Sequence, residues 1–341
     1  MRTSEGPMDG KKSLLSPGLL LERYGIYLAF ALEVLIFTIL SDRYLTYENQ
    51  INVFRQISIN AIIAAGMTYV ILTAGIDLSV GSLVALSGVV LASVLKLESI
   101  PVIPRIALAI LVGLAVGAAS GLFGGFVIVR FRIPPFIATL ALMTIARGLA
   151  FLYTNGRPIW GLPREFDFIG RGHFLGGLLA KIHPSLETVI PFPVVIMLVV
   201  YAAAHLVLTQ TAFGRYVYAI GGNEEAARLS GINTARVKLI VYVLSGVAAA
   251  VSGVILASRL GSGQPNAGIM FELDAIAAVV VGGTSLMGGR GSIVGTFVGA
   301  LIIGELNNGL NLVGVEPYLQ KVILGMVILF AVLLDQLKKS D

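Results

Sequence analysis

Long apolar runs recur along almost the whole chain, and several are close to the ~20 residues that a helix needs to cross a bilayer. Hydrophobic residues make up 56% of the sequence and charged residues only 13%. The runs are too continuous for the alternating pattern of a membrane barrel, and a helix satisfies its own backbone polar groups in hydrocarbon. The sequence therefore predicts an all-α, polytopic integral membrane protein.

The apolar runs place about ten membrane-spanning helices on the chain, with boundaries good to ~2–4 residues. They cover residues 24–41, 58–75, 79–95, 105–130, 136–154, 189–208, 238–258, 273–283, 292–311 and 318–335. The first run is not followed by a small-residue cleavage site, so we interpret it as a retained span. Residues 75–81 and 273–291 are short or interrupted by glycines, which predicts broken or short helices there.

The predicted spans divide the chain into three regions. An even number of crossings puts both termini on one side of the membrane, and more Lys and Arg residues fall on that side than on the other. Because basic loops stay in the cytoplasm, we expect cytoplasmic tails at 1–23 and 336–341 around a transmembrane domain at 24–335. The net charge of +5 is spread over the loops, which is typical of membrane orientation and does not indicate nucleic-acid binding.

Residues 209–238 form a polar stretch between two long apolar runs. Residues 224–227 favour a short helix, and Gly231 can end it because glycine readily adopts the left-handed conformation. A short charged helix between two spans is a candidate docking site for a partner outside the bilayer, and a solvated loop is the alternative. The candidate docking residues are Gly214, Arg215, Gly221, Gly222, Asn223, Glu224, Glu225, Ala226, Ala227, Arg228 and Gly231.

Polar residues inside the apolar runs are candidates for a route across the membrane. An ionisable group at membrane depth costs free energy and is usually kept for a function. The candidate pathway residues are Asn60, Asp77, Ser79, Asn307, Asn308 and Asn311.

Several of these candidates also have a structural interpretation. If residues 75–81 form a turn at the membrane surface, Asp77 is a helix cap that Ser79 supports. Asn311 lies three and four residues after Asn308 and Asn307, so the three amides share one helical face. That face can line a cavity for a hydroxylated solute or form hydrogen bonds between helices. The sequence leaves both questions open.

Glycines recur in two informative arrangements. Every fourth residue from 113 to 125 is a glycine, and such a stripe favours close helix packing over a sliding surface. Residues 75–82 and 283–290 each contain two glycines six positions apart with a leucine midway. Interrupted helices at corresponding positions suggest an internal duplication around a transport route.

Catalytic and cofactor-binding signatures are missing from the sequence. The chain contains no cysteine and three histidines, and the histidines show no metal-binding spacing. Residues 289–295 are glycine-rich but match neither phosphate-loop pattern. We therefore predict no catalytic residue, no cofactor and no metal site, so a separate subunit must hydrolyse any ATP that drives transport.

Residues 214–233 resemble the cytoplasmic coupling segment of the permease subunits of ribose-type ABC sugar importers. Further counterparts of motifs in those permeases lie at 60–68, 72–82, 135–140, 153–156, 272–278, 282–286 and 306–311. The resemblance runs in order from about residue 48 to residue 335 and is highly specific. We therefore call residues 209–238 the coupling segment.

The resemblance implies a multi-pass permease of the bacterial inner membrane that transports a ribose-like monosaccharide. Its expected partners are a second permease copy, a cytoplasmic ABC ATPase that contacts the coupling segment, and a periplasmic sugar-binding protein. Arg215, Arg228 and Arg236 would contact acidic or carbonyl groups of the ATPase. The charged residues within 157–167 and the loop 259–272 are candidates for docking the sugar-binding protein.

A second hypothesis is an ATP-independent secondary transporter or channel for a small polar solute. Such a protein needs a titratable group or an ion site within the membrane to couple transport to a gradient. Glu33, Asp77 and Glu305 are the candidates for that group. The two hypotheses differ in whether transport persists when ATP is present but the membrane is de-energised.

Overall fold

The computed structural model of the chain describes residues 17–174 and 190–337. Parts of both predicted tails, at 1–16 and 338–341, lie outside the described residues, and so does the start of the sixth predicted span at 189. The described helices of ten or more residues are α1 Pro17–Leu40, α2 Tyr47–Leu72, α3 Val80–Leu95, α4 Val102–Phe131, α5 Pro135–Thr154, α7 Phe192–Gln210, α8 Ala212–Gly222, α10 Thr234–Leu260, α11 Phe271–Val281, α12 Ile293–Leu312 and α13 Pro317–Leu337. The shorter elements are strand β1 Ile159–Trp160, the 3-10 helix Arg164–Phe166, helices α6 Asp167–Arg171 and α9 Glu224–Leu229, and strand β2 Ser262–Gly263.

Six of the described helices are long and apolar enough to cross a membrane, namely α2, α4, α5, α7, α10 and α12. The apolar stretches of α1, α3 and α13 are shorter. Helix α11 has only 11 residues, well below the ~20 that a crossing requires. The structure therefore confirms an all-α, polytopic membrane protein, and α11 is the short helix predicted within 273–291.

The second predicted span begins too late. Its apolar run starts near residue 58, whereas helix α2 begins at Tyr47. The opening turns of α2 carry Glu48 and Arg55, so they are helical but too polar to be recognised from hydropathy. At the other end, residues 73–75 lie beyond the helix.

Helix α2 lies at the centre of the bundle, in contact with α7, α10, α11 and α12. Nearly every residue from 57 to 72 is buried, as expected of a helix that packs in a protein interior on all sides. Polar side chains join it to its neighbours. The hydroxyls of Thr68 and Thr296 lie 2.8 Å apart between α2 and α12, and the Ser252 hydroxyl on α10 donates to the Ile59 carbonyl at 2.9 Å. Such hydrogen bonds hold membrane helices in register.

The glycine stripe of α4 packs directly against α10. A Cβ atom at Gly117 would overlap the carbonyl oxygen of Gly246, and one at Gly121 would overlap that of Tyr242. The two backbones touch at these positions, so a larger side chain has no room. This geometry agrees with the close-packing interpretation of the stripe.

After α10 the chain turns back into the bundle. Gly261 has a φ of 64°, and strand β2 then pairs antiparallel with β1. Farther along, Gly268 packs against Gly81 at the start of α3. Within the loop 259–272, residues 262, 263, 265 and 268 are buried, whereas residues 266, 269 and 270 are exposed. Its role in docking a sugar-binding protein stays a prediction.

Arg147 on α5 holds this returning segment in place. Its guanidinium donates to the carbonyl oxygens of Pro265 and Ala267, at 2.9 Å and 2.6 Å. Non-helical backbone at membrane depth requires such partners because no water is present to satisfy it. The structure thus gives this intramembrane cation a structural role.

Two non-helical breaks interrupt the bundle. The first break, residues 73–79, joins α2 to α3, and the second break, residues 282–292, joins α11 to α12. The breaks overlap the two similar glycine segments of the sequence. They also lie together, because the Gly289 amide donates to the Leu72 carbonyl at 3.0 Å.

Candidate functional site

The coupling segment folds into two short helices, α8 and α9, ahead of α10. Three capping residues begin these helices. The Thr211 hydroxyl accepts from the Gly214 amide at 3.2 Å, and the Asn223 carboxamide accepts from the Ala226 amide at 2.9 Å. The Asn233 carboxamide opens α10 in the same way. Each cap satisfies a backbone amide that the helix itself leaves free, so the helices are set locally by sequence.

Helix α9 matches the short helix predicted from residues 224–227. It spans Glu224–Leu229, and Gly231 follows it with a φ of 85°. Helix α8 was not predicted from the sequence. Its signals are the Thr211 cap and the apolar residues Phe213, Val217 and Ile220, which recur at helical spacing and face inward.

The outer face of α9 is charged and exposed. Glu225 and Arg228 form an ion pair at 2.6 Å, with side chains 64% and 58% exposed. Such an exposed pair contributes little to stability. Leu229 beside it is 79% exposed, which leaves an apolar side chain open within a polar surface. A charged rim around an exposed apolar residue is suited to contact with another protein.

The inner face of α8 packs against the end of α2 and against the second break. A Cβ atom at Gly221 would overlap the Leu72 carbonyl oxygen, where α2 ends, and the Gly289 amide nitrogen in the second break. The Tyr218 hydroxyl donates to the Gly291 carbonyl at 2.8 Å. Burial raises the pKa of the Tyr218 phenol, so the group stays protonated as a donor. Helix α8 is therefore in backbone contact with the ends of two buried elements.

A polar cavity of about 480 Å³ lies among α2, α10, α11 and α12. Four of the six predicted pathway residues line it, namely Asn60, Asn307, Asn308 and Asn311. Gln56, Arg259 and Asp274 line it as well and were not among the predicted pathway residues. The signal for Asp274 was available, since it is a carboxylate within a short apolar run.

Hydrogen bonds connect several cavity residues to neighbouring elements. The Asn60 carboxamide donates to the Asp274 carboxylate at 3.1 Å, which joins α2 to α11. Asn308 and Asn49 exchange two hydrogen bonds, at 2.9 Å and 3.0 Å. Gln320 on α13 donates to the Asn311 carboxamide at 2.8 Å. Both interpretations of the sequence therefore hold for Asn308 and Asn311. These residues form hydrogen bonds between helices, and they also line the cavity.

Asp77 and Ser79 lie apart from the cavity, in the first break. Asp77 is 2% exposed. Its Oδ1 accepts from the amide and hydroxyl of Ser79, at 3.0 Å and 2.6 Å, and its Oδ2 accepts from the Ser245 hydroxyl on α10 at 2.7 Å. Asp77 thus links the break to α10 and is not a cap in a solvated turn. Its assignment to the pathway stays a prediction.

Within residues 17–174 and 190–337, no three His, Asp or Glu side chains are grouped to hold a metal ion. His173 contacts Arg55 through its Nε2 at 3.0 Å. That the chain uses no metal or cofactor stays a prediction.

Apolar helices around a polar cavity, with an exposed charged segment at one end, define a membrane transport protein. Comparison with known proteins narrows the class. Residues 49–332 match the family model described as branched-chain amino acid transport system / permease component. The chain belongs to this family of transport permeases.

The similar proteins include sugar permeases. The ribose import permease protein RbsC of Bacillus subtilis (strain 168) is 49% identical over 94% of each chain. The protein of the same name from Escherichia coli (strain K12) is 48% identical over 92% of this chain and 93% of its own. The D-allose transport system permease protein AlsC of that strain is 39% identical, over 93% and 92%. The predicted resemblance to ribose-type ABC permeases is thus confirmed. No solved structure matches the chain at a significant level.

Proposed function

We propose that this chain is the permease subunit of an ABC importer that carries a ribose-like monosaccharide across the bacterial inner membrane. Similarity to ribose and allose permeases over more than nine-tenths of the chain supports the substrate class. The polar cavity, lined by amides in an otherwise apolar bundle, supplies groups that can hydrogen-bond to sugar hydroxyls.

A separate ATPase subunit binds the coupling segment in this proposal. Leu229 inserts into the ATPase surface, while Glu225 and Arg228 form the polar rim of the contact. Both termini are then cytoplasmic, and the opposite end of the bundle faces a periplasmic sugar-binding protein. The two-fold symmetry of an ATPase pair calls for a second permease copy.

The contact of α8 with the end of α2 and with the second break is the observation that carries this proposal. Leu72 ends α2, and the second break joins α11 to α12. These three helices also form the walls of the cavity. A displacement of α8 by the ATPase therefore moves the ends of the helices that line the cavity. Packed elements respond to such a displacement by switching between discrete arrangements.

Reconstitution tests the proposal. Vesicles would contain this chain, a candidate ATPase and a sugar-binding protein, and uptake of labelled D-ribose would be measured with each component left out in turn. We expect uptake only in the complete system with ATP. Leu229→Arg should abolish uptake and co-purification of the ATPase, whereas the conservative Leu229→Met should preserve both. Uptake by the chain alone, independent of ATP, would instead favour a secondary transporter.

A further inference from the structure

We propose that the cavity is a low-affinity binding site for a neutral polyol such as a monosaccharide, in which Asp274 and Asn60 bind neighbouring hydroxyl groups. This inference rests on the proposed function and deepens it. It assigns to the permease a binding step of its own, separate from capture of the sugar by a sugar-binding protein.

The side chains of the cavity suit hydroxyl groups. Carboxamides both donate and accept hydrogen bonds, as hydroxyls do, and a carboxylate accepts them strongly. Five carboxamide residues line the cavity, namely Gln56, Asn60, Asn307, Asn308 and Asn311. Their number favours a neutral polyol over a charged solute.

The two charged groups of the cavity balance each other. Arg259 and Asp274 both line it, so its formal net charge is zero when both are ionised. A strongly anionic solute such as a sugar phosphate would meet the Asp274 carboxylate, which makes it a poor fit. A zwitterion such as an amino acid matches one positive and one negative group, so a test of the site must distinguish it from a sugar.

Asn60 and Asp274 have hydrogen-bond acceptors that a ligand can use. The Asn60 carboxamide uses its nitrogen to donate to the Asp274 carboxylate at 3.1 Å. Its Oδ1 is buried and has no hydrogen-bond partner among the described residues. A buried acceptor without a partner is costly, so a turn of the Asn60 side chain that lets a ligand hydroxyl donate to this oxygen would favour binding.

The remaining walls provide space and an apolar face. A volume of about 480 Å³ falls within the ~300–1,000 Å³ of small-molecule pockets. Ala61 and Ala278 are small side chains in the wall, and Phe271 offers a ring to the C–H face of a sugar. The site thus combines a few polar groups with apolar walls, as ligand pockets commonly do.

The site spans α2, which α8 contacts, and α11, which leads into the second break. Asn60 lies on α2, whose last residue Leu72 meets Gly221, and Asp274 lies on α11, which is followed by the break that contains Gly289. A shift of either helix changes the distance between the Asn60 and Asp274 side chains. The affinity for the sugar is therefore coupled to the position of α8, because two states with different contacts bind a ligand differently.

Thiol protection tests the site directly, since the chain contains no cysteine. Gln56 is exposed and lines the cavity, so Gln56→Cys places one thiol within reach of a soluble methanethiosulfonate reagent. With the chain in nanodiscs, we expect saturating D-ribose to slow labelling several-fold, while L-leucine has no effect. Lys96→Cys, in a separate polar pocket, should label at the same rate with and without ribose.

Substitutions then assign the binding groups. Adding Asp274→Asn, or separately Asn60→Ser, to the Gln56→Cys chain should remove the protection by ribose. Glu272→Gln is the matched control, because Glu272 is in the same first turn of α11 but lies against Gly81 and does not line the cavity. Two variants are used so that misfolding of one leaves the other as a test.

Each outcome supports or overturns the inference. Protection by ribose that both variants lose supports it. No protection, protection that both variants retain, or protection by L-leucine alone overturns it. Ribose uptake by the complete importer is measured on the Gln56→Cys chain in parallel. Uptake without protection refutes this site and leaves the proposed function intact, whereas absence of uptake in the complete wild-type system refutes the proposed function itself.

Discussion

The two breaks are held in place by different kinds of contact. In the first break, the Asp77 carboxylate accepts from the hydroxyl of Ser245 on α10, and the Thr139 hydroxyl on α5 lies 3.1 Å from the Ile76 carbonyl oxygen and 2.9 Å from that of Pro135 in its own helix. Buried side chains thus attach this break to two neighbouring helices. Since each bond would have to be broken inside the protein, the first break is a fixed point.

The second break is shaped mainly by glycines and backbone bonds, and the Tyr218 hydroxyl of α8 donates to its Gly291 carbonyl. Four of its glycines have positive φ values, at 283, 288, 289 and 291. The Ser285 amide donates to the Arg290 carbonyl at 2.9 Å, which closes a tight local turn. Glycine accepts large changes of backbone angle at low cost, so this break can act as a hinge. The difference indicates that a displacement of α8 moves the second break, whereas the first break stays in place.

The largest expected effect is at the contact of α8 with the end of α2 and the second break. Gly221→Ala places a methyl group onto the Leu72 carbonyl and the Gly289 amide, which forces α8 away from both. We expect ribose uptake to fall by more than about tenfold while the ATPase still binds, since overpacking costs ~1–3 kcal/mol. Gly222→Ala is the control, because its Cβ would meet no atom within 4 Å. Equal transport by both variants would show that this contact does not transmit motion.

The second prediction compares two glycines of the hinge. Gly289 and Gly283 have φ values of 72° and 83°, so alanine costs each about 1–2 kcal/mol of backbone strain. Only Gly289 also contacts α8, since a Cβ atom added there would lie 2.9 Å from the Gly222 amide nitrogen, whereas one at Gly283 would meet nothing within 4 Å. Gly289→Ala should therefore reduce both thermal stability and uptake, whereas Gly283→Ala should reduce stability alone. A similar loss of uptake in both variants would assign the effect to strain and not to the α8 contact.

The third prediction tests whether Asp77 holds the first break in place. Asp77→Ala leaves the buried hydroxyls of Ser79 and Ser245 without their acceptor, which costs about 1–3 kcal/mol. The apparent Tm of Asp77→Ala in detergent should fall. The Tm of Asp77→Asn should fall less, because this variant keeps an acceptor oxygen. If Asp77→Asn abolishes uptake with an unchanged Tm, Asp77 is instead a pathway or coupling residue.

The smallest expected effect concerns Thr139. Thr139→Val removes the hydroxyl that lies beside the Ile76 carbonyl oxygen and should cost about 1 kcal/mol, seen as a modest fall in apparent Tm. Thr144→Val is the control on the same helix, because its exposed hydroxyl donates only to the Leu140 carbonyl within α5. Equal Tm values for the two variants would show that the Thr139 hydroxyl does not hold the first break in place.

The parts of the site that depend on local chemistry could be predicted from the sequence. Helix α9 follows from helix-forming residues and Gly231, and the glycine breaks follow from interrupted apolar runs. Helix α8 was missed because residues 212–222 were interpreted only as part of a polar docking stretch, although the Thr211 cap was visible.

The parts that depend on long-range packing could not be predicted. Asn60 was predicted as a pathway residue because it is polar within an apolar run, but helix α2 is buried along nearly all of residues 57–72, so its sequence does not reveal which neighbouring helices complete the cavity. Asp274 becomes a partner of Asn60 only through the placement of α11 beside α2. The role of Asp77 likewise depends on Ser245, which lies 168 residues away in the chain.

The most direct test asks whether the ATPase changes access to the cavity through the α8 contact. Asn307→Cys places a single thiol on the cavity wall. The chain would be assembled with its ATPase, and the thiol-labelling rate would be measured with and without a non-hydrolysable ATP analogue. In a Gly222→Ala background the analogue should change the rate, and in a Gly221→Ala background it should not. The same change of rate in both backgrounds would contradict the account.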